Sequence, residues 1–182
     1  MNKVVALVGM CGSGKSVVNE FFRDKGYFSI YFGGITIQEL EKRGMDVTPE
    51  NEKSVREELR RTHGMAAFAI LSLPKIEEIL KTQNVICDGL YSWSEYKVMK
   101  EKFGDNLTIV AVYAAPRLRY ERLSVRDVRP IVPEESKKRD YAEIENIEKG
   151  GPIAMADYTL INDGDMDKLM DQVRMAYLKI TE

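Results

Sequence analysis

Residues 9–16 read Gly9-Met10-Cys11-Gly12-Ser13-Gly14-Lys15-Ser16 and match the phosphate-binding loop pattern G-x-x-x-x-G-K-[ST]. The apolar run VVALV at residues 4–8 precedes the loop and is typical of a buried parallel strand. Residues 16–25 follow it with apolar side chains on one stripe, which predicts a helix. Glycines let the backbone wrap around an anion, and the amides at the start of a helix point at it. The motif therefore stands between a strand and a helix, where phosphate binding requires it.

The loop predicts a site for a nucleoside triphosphate with Mg²⁺. Lys15 would reach the β- and γ-phosphate oxygens, and the Ser16 hydroxyl would bind the metal ion. The alternative is a glycine-rich turn with an incidental lysine, but a match at all four fixed positions arises by chance in about one chain of this length in a hundred. The candidate nucleotide-binding residues of this segment are Gly9, Cys11, Gly12, Ser13, Gly14, Lys15, Ser16 and Val17.

Composition narrows the class of protein. The 182 residues suit one compact α/β domain spanning 1–182, and 44% hydrophobic content is enough for a core. The net charge of −2 gives no indication of a nucleic-acid or membrane-surface partner. Cys11 and Cys87 have neither disulfide nor metal-ligand spacing. No apolar run approaches the length of a membrane span, and the chain starts directly in its first strand, so we expect a cytoplasmic protein.

The order of elements predicts the fold. Helical patterns separate apolar strands, which are expected at residues 4–8, 27–32, 84–88, 107–114 and 158–162. Such alternation indicates a parallel sheet with helices on both faces and ligands at the carboxyl ends of the strands. Several helix bounds follow from local signals: a start at Thr48-Pro49, an end at His63-Gly64, a start at Pro74 with an end near Thr82, a capping box at Ser92–Glu95, a helix from Pro116 through Arg126, and one from Pro133 to about Lys149.

Polar residues follow two of these strands. Asp88 could hold Mg²⁺ or orient the nucleophile, although an acid at the N-terminus of a helix or a turn residue before Gly89 is the alternative. Asn162 ends the last predicted strand, and Gly164 follows it two residues later. We expect these residues and the phosphate loop to meet at one edge of the sheet. By contrast, the single histidine, His63, is expected at the surface, and Trp93 is expected to be a packing anchor.

A basic segment lies in the C-terminal half. Arg119, Arg122 and Arg126 are spaced at i, i+3 and i+7, which places them on one helix face. A row of guanidinium groups facing the loop would clamp the transferring phosphoryl group. The alternative is a solvated helix face in which Glu121 and Asp127 form ion pairs.

Taken together, these motifs resemble small P-loop nucleotide kinases, in particular dephospho-CoA kinases and adenylate-kinase-related proteins. The resemblance to dephospho-CoA kinases is carried by Glu121-Arg122-Leu123, Arg126-Asp127, Glu134-Glu135, Arg139, Ala156-Asp157-Tyr158, Ile161-Asn162 and Gly164. It implies a three-layer αβα fold with a five-stranded parallel sheet in the order 2-3-1-4-5, an acceptor-binding region at 33–80 and a helical lid at 117–140. It also implies ATP and Mg²⁺ as cofactors, Arg122 and Arg126 on the ATP phosphates, and Asn162 and Gly164 near the adenine.

The acceptor half departs from both families. Dephospho-CoA kinases carry an aspartate base just after strand two, where this chain has Gly33-Gly34. The adenylate-kinase-related proteins have an Asp and an Arg in the same stretch and an Arg after Asp-Gly, where this chain has Gly34, Ile37 and Leu90-Tyr91. A phosphate acceptor needs no base, and Arg56, Arg60 and Arg61 could bind it.

The sequence therefore predicts ATP-dependent phosphoryl transfer to a small nucleotide-like acceptor, by a nucleoside monophosphate kinase-like or dephospho-CoA kinase-like enzyme. An ATP-binding regulatory protein and a plain NTPase are the alternatives. The predicted site residues beyond the loop fall into three groups: Lys15, Asp88, Arg122 and Arg126 for catalysis, Ser16 and Asp88 for the metal, and Gly34, Arg56, Arg60 and Tyr91 for the acceptor.

Overall fold

A computed structural model describes residues 2–182. They contain a five-stranded sheet in which every pair of neighbours is parallel, in the order β2-β3-β1-β4-β5. The strands are β1 (Val4–Val8), β2 (Phe28–Tyr31), β3 (Val85–Asp88), β4 (Leu107–Tyr113) and β5 (Tyr158–Ile161). The predicted strand order is confirmed. All of β1 is buried, as expected for a central strand covered on both faces.

Nine α-helices are found within residues 2–182. They are α1 (Lys15–Asp24), α2 (Gly34–Lys42), α3 (Pro49–His63), α4 (Ala67–Ile79), α5 (Trp93–Phe103), α6 (Pro116–Val125), α7 (Pro133–Ile147), α8 (Gly150–Ala154) and α9 (Met166–Thr181). Side chains alternate along β1, so Val4 and Ala6 enter one core while Val5 and Leu7 enter the other. The first core is covered by α2 to α5, and the second by α1 and α9. The result is the predicted three-layer αβα architecture.

Several helix bounds follow from local signals, as predicted. The Thr48 hydroxyl accepts a hydrogen bond from the Asn51 N–H at 3.2 Å at the start of α3. Ser92 and Glu95 form the reciprocal capping box of α5. Trp93, the first residue of α5, stacks on Tyr96 at 4.8 Å between ring centroids, which confirms its role as a packing anchor. None of the helices within residues 2–182 combines the length and apolar character that a membrane span requires.

The prediction that Pro74 starts a helix is wrong, because α4 begins at Ala67 and continues through it. An interior proline removes one helical hydrogen bond and costs about 3 kcal/mol. However, α4 buries Phe68 and Ile76 almost completely. Burial of each such side chain stabilises the fold by about 1.5–3 kcal/mol. Tertiary packing therefore outweighs the local preference of the proline.

The predicted ends of α6 and α7 also differ from those observed. The segment after α6 folds back, and the Ile131 N–H donates to the Leu123 carbonyl at 2.9 Å. Arg126 consequently lies beyond the helix in extended backbone and cannot share a helix face with Arg119 and Arg122. Similarly, α7 ends at Ile147 because Glu148 adopts the left-handed conformation with φ 54°. The short helix α8 that follows was not predicted.

Candidate nucleotide and acceptor site

The phosphate loop joins β1 to α1 in a conformation that depends on glycine. Gly9 and Gly14 have φ angles of 142° and 99°. A Cβ atom on Gly9 would lie 2.4 Å from the Val112 carbonyl oxygen, and one on Gly14 would lie 2.3 Å from Asn162 Nδ2. Both approaches are too short for any side chain. The two glycines therefore let β4 and the end of β5 press directly against the loop.

Asn162 and Arg122 brace this loop from behind. Asn162 is buried, and its Nδ2 donates to the Ser13 carbonyl at 2.9 Å. Its Oδ1 accepts from Arg122 Nη2 at 3.0 Å, while Arg122 Nη1 reaches the Gly12 carbonyl at 3.4 Å. The structure therefore brings both predicted residues to the loop, as supports of its backbone. Gly164 follows Asn162 by two residues and has a φ of 113°, and a Cβ atom there would meet no atom within 4 Å.

Lys15 is the central cation of the loop. Its Nζ donates to the Gly9 carbonyl at 2.8 Å and to the Met10 carbonyl at 3.1 Å. Burial, together with the positive charge of Lys149, lowers the pKa of Lys15 to about 8. A phosphate beside this ammonium would favour its charged form. The lysine is therefore held at the loop in a place where an anion is stabilised.

Asp88 lies beside this lysine, as predicted. It is the last residue of β3 and pairs in register with Leu7 of β1, two residues before the loop. Burial raises the pKa of Asp88, while Lys15 and Lys149 act in the opposite direction. Asp88 is half-buried at the end of β3, and its role as a metal ligand or as an orienting group stays a prediction.

Three charged residues near Lys15 and Asp88 were missed as site residues in the sequence. The Lys149 side chain is only 2% exposed, and its Nζ lies 2.6 Å from the Glu143 carboxylate. The same carboxylate accepts from Arg139 Nε at 3.0 Å. Lys149 follows a helix end and precedes Gly150-Gly151, so the sequence indicates a turn there but not the direction of its side chain.

Arg119 has a role different from the predicted clamp. It forms a bidentate ion pair with Asp140 of α7, at 3.0 and 2.6 Å, and both side chains are buried. Its Nη1 also donates to the Cys11 carbonyl at 3.2 Å. The predicted row of guanidinium groups is therefore divided. Arg119 ties α6 and α7 to the loop, Arg122 supports the loop, and Arg126, beyond the end of α6, donates to the Arg129 carbonyl.

A cavity of about 890 Å³ opens beside Glu143 and Arg139, between α3, α7 and the ends of β2 and β3. It is lined by the predicted acceptor residues Arg56, Arg60 and Tyr91. Gly34 does not line it, although the adjacent Gly33 does. Other residues that line the cavity were not predicted to do so, among them Tyr31, Arg129, Arg139 and Glu143. The sequence therefore located the region but only part of its lining.

The cations of this cavity differ in how they are neutralised. Arg129 pairs with Glu52 at 2.9 Å. Within residues 2–182, by contrast, Arg56 and Arg60 form no ion pair, and the buried Nε of Arg60 has no hydrogen-bond partner. Burial lowers the pKa of Arg60, and the positive charge of Arg56 adds to this effect, while the carboxylates of Glu95, Glu143 and Glu57 act in the opposite direction. An anion in the cavity would satisfy both groups.

Glu95 lies behind Arg60 and is itself buried. Its Oε2 accepts from the Tyr91 and Ser92 N–H groups at 2.7 and 2.9 Å, whereas its buried Oε1 has no partner within residues 2–182. Burial raises the pKa of Glu95 from 4.5 to about 7, against the effect of these bonds and of Arg60. The carboxyl group of Glu95 therefore binds a proton more tightly in the native state than in the unfolded state.

Because of this raised pKa, we expect Glu95→Gln to increase the free energy of unfolding by an amount that depends on pH. The stabilisation from the raised pKa is complete below about pH 4.5 and is lost as the pH rises through about 7. Glutamine keeps the capping bonds without the charge, so the variant should exceed the wild type in unfolding free energy at pH 8 by up to about 3 kcal/mol, with little gain at pH 4.5. Urea unfolding at both pH values measures this, with the exposed Glu101→Gln as control. An equal increase in the free energy of unfolding at both pH values would contradict this prediction.

The loop residues fit a nucleotide phosphate with Mg²⁺. The buried Ser13 hydroxyl has no hydrogen-bond partner within residues 2–182, and a phosphate oxygen would supply one. Ser16 and Asp88 are the residues that would hold the metal ion. Residues 2–182 contain no group of three acidic, histidine or cysteine side chains that could bind a metal alone. This donor set suits Mg²⁺, which takes most of its ligands from phosphate and water.

The strand order, the three layers and the loop after β1 together give the chain the fold of small P-loop kinases. Among solved structures, shikimate kinase from Bacteroides thetaiotaomicron superposes with a TM-score of 0.62 at 16% identity over 99% of both chains. A gluconokinase from Sinorhizobium meliloti gives a TM-score of 0.62 at 15% identity, over 98% of this chain and 93% of the other. The expected resemblance to small P-loop kinases is thereby confirmed for the fold.

Sequence comparison then gives the family. A family described as an AAA domain matches residues 5–148. The UPF0200 protein TK1334 from Thermococcus kodakarensis is 38% identical over 94% of both chains. A UPF0200 protein from Thermococcus gammatolerans is 38% identical over 97% of this chain and 95% of the other. The chain belongs to the UPF0200 protein family and carries the AAA domain.

Proposed function

We propose that this protein is an ATP- and Mg²⁺-dependent kinase whose acceptor is a small, nucleotide-like molecule that carries a phosphate. One observation carries the proposal: Glu143 lines the cavity that holds Arg56 and Arg60, and it also acts electrostatically on Lys15 of the phosphate loop. A donor phosphate and an acceptor anion could therefore meet at one place.

On the donor side, the loop amides and Lys15 stabilise the charge of the transferring phosphoryl group. Ser16 and Asp88 hold Mg²⁺, and Arg122 keeps the loop in shape through its bonds to Gly12 and Asn162. Arg126 belongs to the proposal as a lid residue. Because it lies in extended backbone beyond the end of α6, it would reach the phosphates only after a movement of the lid.

On the acceptor side, charge favours a phosphate over a bare hydroxyl. A hydroxyl needs a base within about 3 Å. Glu143 is unsuitable, because Lys149 and Arg139 outweigh the effect of its burial and keep its pKa low. Asp88 is committed to Lys15 and the metal ion. A phosphate needs no base and would satisfy Arg56 and Arg60.

A coupled assay of ADP formation tests the function directly. The assay would include nucleoside monophosphates and dephospho-CoA, each compared with ATP alone. We expect turnover with a phosphate-bearing nucleotide and poor use of dephospho-CoA. ATP hydrolysis that no acceptor accelerates would favour an NTPase, and ATP binding without turnover would favour a regulatory protein; either would overturn the proposal. Efficient phosphorylation of dephospho-CoA would overturn the phosphate-acceptor assignment.

Arg60→Ala tests the acceptor side. The change removes a charged hydrogen-bond donor worth about 1.5–3 kcal/mol, so the KM for the acceptor should rise about 10- to 100-fold while ATP affinity stays constant. The neighbouring Arg61 is exposed and does not line the cavity, so Arg61→Ala is the matched control. An unchanged acceptor KM in Arg60→Ala, or an equal rise in the control, would contradict the assignment.

A further inference from the structure

Lys149 is a buried cation that the function proposed above does not use. Its side chain is 2% exposed, and its Nζ contacts Glu143 at 2.6 Å and lies 4.8 Å from the centroid of the Tyr91 ring. Removal of an ammonium from water is costly unless a partner compensates for it. Glu143 provides one such partner, but it is shared with Arg139. Lys149 and Arg139 together therefore carry more positive charge than the single carboxylate of Glu143 neutralises.

The chain adopts a strained turn to place this lysine. Glu148, a residue with a side chain, takes φ 54° and ψ 40° at the end of α7. This conformation costs on the order of 1 kcal/mol for a residue other than glycine. The Lys149 N–H then closes the turn on the Glu143 carbonyl at 3.2 Å. The α8 helix that follows is packed against α5, since a Cβ on Gly151 would lie 2.8 Å from the Trp93 ring.

The position of Lys149 connects the two halves of the site. Lys149 acts electrostatically on both Lys15 and Asp88, which belong to the donor half. Its contacts, Glu143 and Tyr91, line the acceptor cavity. Counted together, Lys15, Lys149 and Arg139 exceed Asp88 and Glu143 by one positive charge. A phosphoryl group that passes from loop to cavity would complete this balance.

We propose that Lys149 is a second phosphate-binding lysine, which contacts the transferring phosphoryl group between Lys15 and the acceptor cavity. This inference rests on the proposed function. During transfer, the bond between the γ-phosphorus and the β–γ bridging oxygen breaks, and its electron pair stays on ADP. A bond forms from an acceptor phosphate oxygen to the γ-phosphorus. No proton moves, so Lys149 stays charged and shifts its hydrogen bond from Glu143 to a phosphoryl oxygen.

Binding of nucleotides to Lys149→Met tests the contact without any acceptor. The γ-phosphate is the group that distinguishes a non-hydrolysable imido analogue of ATP from ADP. We therefore expect the Kd of the analogue, measured by calorimetry with Mg²⁺, to rise at least about tenfold, with the Kd of ADP within about twofold of the wild type. Lys149→Arg should recover most of the affinity. Lys137→Met, on the exposed face of α7, is the matched control and should change neither value.

The double variant Lys149→Met/Glu143→Gln removes both charges and replaces the single variant if the latter does not fold. Equal weakening of ADP and analogue, or no weakening of the analogue, would overturn the inference. Turnover separates this failure from that of the proposed function. If the wild type phosphorylates an acceptor and Lys149→Met binds the analogue normally, only the inference fails. If no acceptor is phosphorylated by the wild type, the proposed function fails, while the ratio of the two Kd values still decides the role of Lys149.

Discussion

Replacement of Lys15 by alanine is expected to lower phosphoryl-transfer turnover at least about a hundredfold, the scale of one lost charge stabiliser in a transition state. Within residues 2–182, the ammonium of Lys15 forms hydrogen bonds to the Gly9 and Met10 carbonyls of its own loop and to no other group. It therefore links no helices or strands to one another, and its loss should leave the fold intact. Steady-state turnover in the acceptor assay measures the first expectation, and circular dichroism measures the second.

Lys25→Ala is the control for this variant. Lys25 follows the other end of α1, and its ammonium lies over the rings of Phe21 and Tyr177, far from the loop. It should leave turnover within about twofold of the wild type. Retained turnover in Lys15→Ala would refute the assignment of the loop as the donor site, and an altered circular dichroism spectrum would show that Lys15 supports the fold.

Arg119→Met should have the largest effect on stability, a loss of about 3–5 kcal/mol, because it leaves the buried Asp140 carboxylate without its main partner. The Tyr120 hydroxyl, at 2.9 Å, would be the remaining donor to Asp140. The same guanidinium bonds the Cys11 carbonyl, so α6, α7 and the phosphate loop should all become less protected. Urea unfolding measures the free energy, and amide hydrogen exchange measures the local effect.

Two further variants make this second prediction specific. Arg117 lies two residues before Arg119, on the exposed side of α6, and Arg117→Met should change the unfolding free energy by less than about 0.5 kcal/mol. Arg119→Met/Asp140→Leu removes both charges and should recover a large part of the loss, since the cost arises from an uncompensated buried charge. A double variant as unstable as the single one would contradict this account.

The features that sequence could predict are those fixed over short distances. The loop at residues 9–16, the alternation of strands and helices, and the caps at Thr48 and Ser92 each depend on neighbours within one turn or strand. Parallel strands separated by helices leave few arrangements for a small sheet. Pro74 is the exception, because the burial of α4 overrides a local signal that normally starts a helix.

The site was predictable only where a motif marks it. Lys15 and Asp88 come from a loop pattern and a strand end, so their proximity follows from the topology. Lys149 has no such signal, since its direction depends on the left-handed Glu148 and on the packing of α8. Arg119 and Arg122 look equivalent in the sequence. Arg119 forms an ion pair with Asp140, 21 residues away in the chain, whereas Arg122 donates a hydrogen bond to Asn162, 40 residues away.

Gly33 bears on how readily this family could exchange one acceptor for another during evolution. Its φ of −62° would accept any residue, but a Cβ there would lie 2.4 Å from the Tyr31 hydroxyl. An aspartate arising at this position, as in dephospho-CoA kinases, would thus displace the Tyr31 ring from its hydrogen bond with Tyr91. A single codon change would introduce a base and open the wall of the cavity at once. Under the proposed function, a single substitution at Gly33 would therefore change both the acceptor chemistry and the shape of the cavity in one step.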